Sequence, residues 1–254
     1  MRWRGVAGIA LALAFAPAGA DEVVVSTGEY APWTGENLPG GGFVNRVVRE
    51  AFRREGITVK FKYRPWTRAL AELRDGTVQG SSYWGRDPAR DKDFLPSDVL
   101  VEHRELLFHR KDKILPKWRR LADLSGFRFG ATRSYTYTPE FWALTRQGVL
   151  NVTVSQDDES SLRKLLGGSV DILPMDEFSG WSILSSGAFP PGSRDLVVAE
   201  PMPFSVISGH LMLRKTPEGE RLLKRFNHGL ASMKTDGTLE AYREDMFRGS
   251  GASR

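Results

Sequence analysis

Residues 83–98, YWGRDPARDKDFLPSD, carry the densest chemical pattern in the chain. This segment of sixteen residues contains an aromatic pair, a Gly-Arg-Asp-Pro turn, Arg90 and a Phe-x-x-Ser-Asp cluster. A guanidinium presents a planar fork that matches the two oxygens of a carboxylate, so Arg90 is a candidate for binding an anionic ligand. The alternative is a surface salt bridge, because Asp87, Asp91 and Asp93 all lie within four residues of Arg90.

Strand and helix patterns alternate on both sides of this segment. The first half reads as strands at 23–25, 58–63 and around 78, with helices at 43–52 and 66–73. The pattern begins again after Leu121, with strands at 127–131, 152–154 and 170–173 and helices at 139–146, 160–166 and 177–184. Residues 216–247 are predicted to be helical. Such an order implies parallel strands with crossover helices, and two similar α/β lobes are the simplest account.

The N-terminus has the pattern of a secretory signal. Arg2 and Arg4 precede the apolar run 6–15, and Ala18-Gly19-Ala20 offers a small-residue cleavage site. Those ten apolar residues are too few to span a bilayer, which takes about 20. We therefore expect residues 1–20 to be a cleaved signal peptide and the mature chain to be periplasmic. The chain contains no cysteine, so a lipid-attachment site and a disulfide framework are not expected.

Charge and composition argue against other classes of protein. The formal net charge is +5, and Arg2 and Arg4 would leave with the signal peptide. The remaining excess is small and spread along the chain without a basic run, which gives nucleic acid binding little support. No later segment is long and apolar enough to cross a membrane.

The pattern of residues 83–98 resembles the ligand loop of the family-3 bacterial extracellular solute-binding proteins, the polar amino-acid receptors of ABC importers. Two further stretches, GEYAPW at 28–33 and GGSVDILPMDE at 167–177, resemble other motifs of that family. The resemblance implies an α/β, type II periplasmic-binding-protein fold, in which two lobes with mainly parallel sheets flanked by helices are joined by a two-strand hinge. Residues 21–109 plus 210–254 would form lobe one, and residues 110–209 lobe two.

On lobe one, the resemblance implies that Arg90 binds the carboxylate of the ligand and that Tyr30 helps to receive it. Gly85 stands where the family often has a serine, so only its N–H could contribute. Four more aromatic side chains could wall a pocket and stack on the ligand: Trp33, Trp66, Tyr83 and Trp84. For Trp66, packing in the core of the lobe is an equal alternative.

On lobe two, the resemblance implies that Asp176 holds the ammonium group of the ligand. Its alternative role is to cap the helix that follows. In the loop ATRSYTY, Thr136 fits the hydroxyl position that completes the carboxylate site, and Arg133 either adds positive charge there or lies on the surface. Thr27 stands where receptors for cationic amino acids carry an acid, which weakens the case for lysine or arginine as the ligand, although the nearby Glu29 could take the place of that acid.

Motifs for catalysis or metal binding are not found. The histidines lack metal-ligand spacing, and no cysteine can act as a nucleophile. The sequence has neither a Gly-x-Ser-x-Gly elbow nor a P-loop. The acids at 157–159 read as a solvated helix start. We therefore expect no cofactor, no metal and no enzymatic activity.

The sequence is best interpreted as a monomeric periplasmic receptor. It would capture a small zwitterionic or carboxylated solute, a polar amino acid, by hinge closure and deliver it to the membrane permease of an ABC importer. One alternative is a receptor that serves a sensor instead of a transporter. Another is a cleft enzyme of the same fold, similar to cyclohexadienyl dehydratase, with Glu29 or Asp176 as the acid.

Overall fold

The computed structural model describes residues 21–249 of the chain. The predicted signal peptide, residues 1–20, lies outside the described residues. None of the helices in the described range is long and apolar enough to cross a membrane.

The N-terminal part alternates strands and helices as the sequence predicts. Its elements are β1 (Asp21–Thr27), α1 (Phe43–Arg54), β2 (Ile57–Tyr63), α2 (Trp66–Asp75), β3 (Gly80–Gly85) and β4 (Phe94–Pro96). The apolar residues of α1 recur at helical spacing and are fully buried on one face, for example Val44, Val47 and Ala51. Helix α2 ends at Gly76, whose φ of 87° is the left-handed conformation that glycine adopts without strain.

The following part begins and ends with two strands of ten residues each, β5 (Val101–Arg110) and β10 (Ser205–Arg214). Between them lie β6 (Arg128–Thr132), α3 (Pro139–Arg146), β7 (Asn151–Ser155), α4 (Asp158–Leu166), β8 (Ile172–Asp176), α5 (Glu177–Leu184) and β9 (Val197–Ala199). The chain closes with α6 (Pro217–Thr235) and α7 (Thr238–Gly249).

Helix starts follow their capping residues. Thr138, Asp157, Asp176 and Thr216 precede α3, α4, α5 and α6, and the side chain of each accepts a hydrogen bond from a backbone N–H in the first turn. Helix α4 begins at Asp158, two residues before the predicted start at residue 160, because Asp157 accepts from the N–H of Ser160.

A single curled sheet joins the two parts. Its strand order is β2-β1-β3-β10-β5-β8-β6-β7, with β4 paired to β10 and β9 to β5. Strands β2, β1 and β3 are parallel to one another, as are β7, β6 and β8. The long strands β5 and β10 are antiparallel to each other and to their neighbours β8 and β3. These two strands form the connection between the lobes.

The apolar cores also divide at these strands. One core packs β1, α1 and α6 together around residues such as Val25, Phe52 and Phe226. The side chains of Leu107 and Phe108, on β5, already belong to the cores of the second part. Along β5, the side chains therefore pass from the core of the first part to the cores of the second part before residue 109, the boundary predicted from the sequence. The exact bounds of the lobes stay a prediction.

The segment 83–98 is more regular than the loop predicted for it. Tyr83, Trp84 and Gly85 are the last residues of β3, and 94–96 form the short strand β4 beside β10. Only the stretch between them, which contains Arg90, is a turn with a short 3-10 helix. Arg90 is thereby held between two strands of the sheet.

Candidate ligand-binding site

A cavity lies where the end of β3 meets β5, β10 and the loop after β6. Six of its lining residues are sequence-predicted site residues: Tyr30, Trp66, Tyr83, Trp84, Gly85 and Thr136. Five others were not predicted: His103, Glu105, Ser134, Tyr135 and Ile207. The cavity therefore brings together residues from both lobes and from both crossing strands.

Aromatic rings form most of the wall. The rings of Tyr30 and Tyr83 stack with centroids 6.4 Å apart, and Tyr135 meets Tyr30 edge-on at 5.3 Å. Trp66 meets Trp84 edge-on at 5.3 Å. Trp66 lines the cavity and also packs against the buried cluster around Trp84, so its packing role is confirmed and its contact with a ligand stays a prediction. Such a wall suits stacking on an apolar or cationic part of a small molecule.

Arg90, a predicted site residue, does not line the cavity itself but bonds to two residues that do. Its guanidinium sits 5.2 Å from the ring centre of Trp84, and Nη2 donates to the carbonyl oxygen of Gly85 (2.8 Å) and to Oγ1 of Thr136 (2.7 Å). The alternative partner, Asp87, is 3.6 Å from Nη1. Among the described residues, buried Nε has no hydrogen-bond partner. The side chain of Arg90 is 13% exposed, and its spare N–H can donate a hydrogen bond to an anionic oxygen.

The loop after β6 contributes its residues unequally. Thr136 faces the cavity and accepts the hydrogen bond from Arg90 across the lobes. Ser134 has a φ of 68°, a conformation that is uncommon outside glycine, and it turns the chain between Arg133 and Tyr135. Arg133 is exposed and lines an adjoining, wider groove with Glu29 on the opposite side. It does not line the cavity itself.

Trp33 and Asp176 are predicted site residues that bond to each other. Trp33 is 1% exposed and its Nε1 donates to Oδ1 of Asp176 over 2.8 Å. The same oxygen accepts from the N–H of Ser179 at the start of α5, as the capping alternative proposed. Neither residue lines the cavity. Oδ2 of Asp176 is buried and finds no hydrogen-bond partner among the described residues.

The acids at 157–159 are not all solvated, which corrects the sequence interpretation. Asp158 is 7% exposed and accepts hydrogen bonds from Oγ1 of Thr132 (2.8 Å) and Oη of Tyr135 (2.6 Å). Burial raises the pKa of Asp158 to about 6. The carboxylate thus fixes Tyr135, one of the aromatic walls.

Glu105 and His103 were missed because they lie on β5. In the sequence VEHRELLF, the four consecutive polar residues 102–105 show no alternation that would indicate which of them face inward. In the structure Glu102 and Arg104 are exposed, whereas His103 is 4% and Glu105 is 3% exposed. Nδ1 of His103 is 2.7 Å from Oη of Tyr83. Burial lowers the pKa of His103, so its imidazole is neutral at pH 7.

Metal chemistry finds no support in this geometry. Over residues 21–249, no group of three or more histidine and acidic side chains is arranged to hold a metal ion. The cavity instead combines aromatic walls with one buried acid, Glu105, and the guanidinium of Arg90 bonds to two of its lining residues, Gly85 and Thr136. This combination can bind a small molecule that carries both signs of charge.

Three solved structures with the same fold show how widely it is used. A histidine kinase sensor domain with similarity to periplasmic binding proteins is 21% identical, covering 89% of this chain and 96% of its own, with a TM-score of 0.76. An ancestral arginine-binding protein bound to arginine is 20% identical, covering 90% of this chain and 99% of its own, with a TM-score of 0.75. The third is a substrate-binding protein of an amino acid ABC transporter from Streptococcus pneumoniae, bound to L-arginine. It is 16% identical, covering 91% of this chain and 97% of its own, with a TM-score of 0.74.

Sequence comparison identifies the family. No curated protein sequence gives a significant match. The family model for bacterial extracellular solute-binding proteins, family 3, matches residues 23–249. That match spans both lobes and all the residues of the cavity. The chain therefore belongs to the family-3 bacterial extracellular solute-binding proteins.

Proposed function

We propose that the protein is a periplasmic receptor for a small zwitterionic solute, a polar amino acid. The observation that carries this proposal is Arg90, a largely buried guanidinium that bonds to Gly85 and Thr136 in the wall of the aromatic cavity and whose Nε has no hydrogen-bond partner among the described residues. A carboxylate placed there would receive a charge-assisted hydrogen bond shielded from water. Two structures with the same fold hold arginine, which supports an amino acid as the ligand.

Closure of the two lobes would complete the site. Arg90 and Tyr30 on lobe one would receive the ligand, and Thr136 on lobe two would close over its carboxylate. Asp176 would supply negative charge for the ammonium end. We place the hinge where β5 and β10 pair with each other, from Val101 to Glu105 and from Ser205 to Gly209. Closing the cleft removes water and strengthens each charged contact.

The partner would be the permease of an ABC importer. The signal predicted for residues 1–20 would carry the protein to the periplasm, where it would act as a monomer without a cofactor. Import receptors of this kind need micromolar or tighter binding, worth about −8 kcal/mol or more. One carboxylate–arginine contact, one ammonium–acid contact and stacking on the aromatic walls can reach that range.

A thermal-shift screen of the mature protein tests the proposal. The protein is unfolded and refolded to remove any carried-over ligand, and then mixed with the common amino acids and organic acids. A ligand at 100 times its Kd adds about 2.7 kcal/mol to the free energy of unfolding. Arg90→Ala should abolish the shift. Arg86→Ala should retain it, since Arg86 is exposed in the same segment and pairs with Asp91. Silence of the wild-type protein across the panel would overturn the amino-acid assignment.

A receptor that serves a sensor is the second candidate. The fold likeness to a histidine kinase sensor domain favours it, and the mature chain would then present its solute to a signalling partner. Uptake of the stabilising solute by cells with and without the gene separates the two functions. Lost uptake supports the importer, whereas normal uptake with an altered transcriptional response supports the sensor. Turnover of a prephenate-like substrate would instead indicate the enzyme alternative.

A further inference from the structure

Glu105 is the acid that faces the cavity. It lines the same space as Tyr30 and Tyr83, although only 3% of it is exposed to solvent. Asp176 does not line the cavity, and its Oδ1 already accepts from Trp33 and from the start of α5. Of the two acids, Glu105 is therefore the one that a ligand in the cavity can reach.

The position of Glu105 between two strands is fixed. On one side it is paired with Asp176 in the antiparallel register of β5 and β8, which places the two side chains next to each other on one face. On the other side, Oγ of Ser205 on β10 donates to Oε2 over 2.5 Å. One carboxyl oxygen of Glu105 is thus held by the fold, which leaves Oε1 for a ligand.

Titratable groups surround Glu105 on every packed element. They are Asp176 on β8, Asp158 on α4, His103 on β5, Tyr83 on β3, Tyr30 in the loop after β1 and Tyr137 in the loop before α3. Burial, with Asp176 and Asp158 adding to it, raises the pKa of Glu105 to about 8. Without a ligand Glu105 is therefore a neutral acid at pH 7. Of the described residues, those that line the cavity include no lysine or arginine that would reverse this.

We propose that Glu105 receives the ammonium group of the ligand through Oε1 and gives up its proton to solvent as it does so. This inference rests on the proposed function, and it moves the direct contact from Asp176 to the crossing strand β5. The O–H bond of Glu105 breaks, its proton passes to the buffer, and an N–H of the ammonium takes its place. The faces of Tyr30 and Tyr83 provide further attraction for the cation. Asp176 lies beside Glu105 in the register of β5 and β8.

The experiment is isothermal titration of the amino acid that gives the largest thermal shift. Affinity is measured for the wild-type protein, Glu105→Gln and the matched control Glu102→Gln. Glu102 lies on the same strand and also accepts from a serine of β10, Ser208, but it is exposed. We expect Glu105→Gln to weaken binding about 10- to 100-fold, the range for a lost charged hydrogen bond. Glu102→Gln should stay within about twofold of the wild type.

Proton release gives a readout that does not depend on a variant. Titration of the wild-type protein at pH 7 in phosphate and in Tris, whose ionisation enthalpies differ, counts the protons released per ligand bound. We expect about one proton for the wild type and for Glu102→Gln, and close to none for Glu105→Gln. From pH 6 to 7 the wild-type affinity should rise nearly tenfold, because the free acid titrates near pH 8.

The outcomes separate this inference from the proposed function. Wild-type binding without proton release, or a Glu105→Gln protein that binds and releases protons as the wild type does, overturns the role of Glu105 and leaves the receptor function standing. A wild-type protein that binds no amino acid overturns both. If Glu105→Gln does not fold, the number of protons that the wild-type protein releases per ligand bound still tests the role of Glu105.

Discussion

Buried acids at two places in the molecule meet opposite electrostatic surroundings. Asp171, at the start of β8, accepts from the backbone N–H and the guanidinium of Arg128 and lies 3.2 Å from Nζ of Lys113. These partners hold its pKa well below the usual range, with the hydrogen bond from Arg128 as the largest cause. Glu105 has no cationic partner within residues 21–249, and burial raises its pKa to about 8. A buried acid thus stabilises the fold as a paired carboxylate at Asp171, whereas the acid at Glu105 keeps its proton to a higher pH.

Asp171→Asn should lower the free energy of unfolding by about 1–3 kcal/mol at pH 7, because it removes a charged partner from two cations. The folded-state pKa of Asp171 is depressed, so its contribution is present above pH 4 and is lost as the pH falls toward the folded-state pKa. The difference between wild type and variant should therefore shrink between about pH 5 and pH 3. Urea unfolding across that range measures it, and a constant difference would contradict this account.

Glu105 should give the reverse pH dependence. Its folded-state pKa lies above its unfolded-state value. Between about pH 5 and pH 8 the unfolded chain has therefore already lost the proton that the folded protein keeps. The free energy of unfolding should fall in this window by up to about 1.4 kcal/mol per pH unit. Glu105→Gln should flatten that slope and Glu102→Gln should retain it, as measured by urea unfolding without ligand. Equal slopes in all three proteins would refute the prediction.

At the scale of elements, local chemistry predicted the helices better than the strands. The predicted bounds of α3 and α5 match the structure, since Thr138 and Asp176 cap them and Pro139 starts α3. Strands β4 and β9 were missed, because three residues of strand leave too little periodicity to detect. The same difference holds for the residues that line the cavity. Those in local motifs, such as Tyr30 and Thr136, were predicted from the sequence. The contribution of β5 was not, because it depends on which face of the strand turns inward.

The crossing of α1 and α6 depends on one glycine. A Cβ added at Gly229 would lie 2.1 Å from the carbonyl oxygen of Ala51, so the helices would have to separate. In an open helix, glycine to alanine stabilises by about 0.5–1 kcal/mol. We expect Gly229→Ala to destabilise by about 1–3 kcal/mol instead. Gly126→Ala is the control, since its added Cβ meets nothing within 4 Å. Chemical denaturation of both variants decides, and a stabilised Gly229→Ala would disprove the close packing.

At the scale of the whole molecule, two of the side-chain hydrogen bonds that join the lobes lie away from the pairing of β5 with β10. Nε1 of Trp33 donates to Asp176, and Nη2 of Arg90 donates to Thr136. Trp33 packs in the core of the first lobe, whereas Asp176 starts a helix of the second. Opening of the lobes in the proposed hinge motion would have to break both contacts.

Trp33→Phe removes the donor to Asp176 while keeping an aromatic ring in the core. We expect a loss of about 1–3 kcal/mol in the free energy of unfolding, because a buried carboxylate loses a partner. We also expect a larger radius of gyration in solution without ligand. Small-angle X-ray scattering measures it, with Trp181→Phe, inside the second lobe, as the control. An unchanged radius of gyration in Trp33→Phe would show that this hydrogen bond does not hold the lobes together.

The crossing strands β5 and β10 carry Glu105, His103 and Ile207, so the floor of the cavity would also be the pivot of the proposed hinge motion. In a rotation, displacement grows with distance from the axis, and groups at the pivot hardly move. A ligand resting on the floor would make the same contacts at every opening angle. Such contacts add affinity but cannot favour one angle over another, since a ligand shifts an equilibrium only through differential affinity. In the proposed hinge motion, the difference in ligand affinity that favours the closed form would therefore come from contacts at the rim, where Thr136 bonds to Arg90.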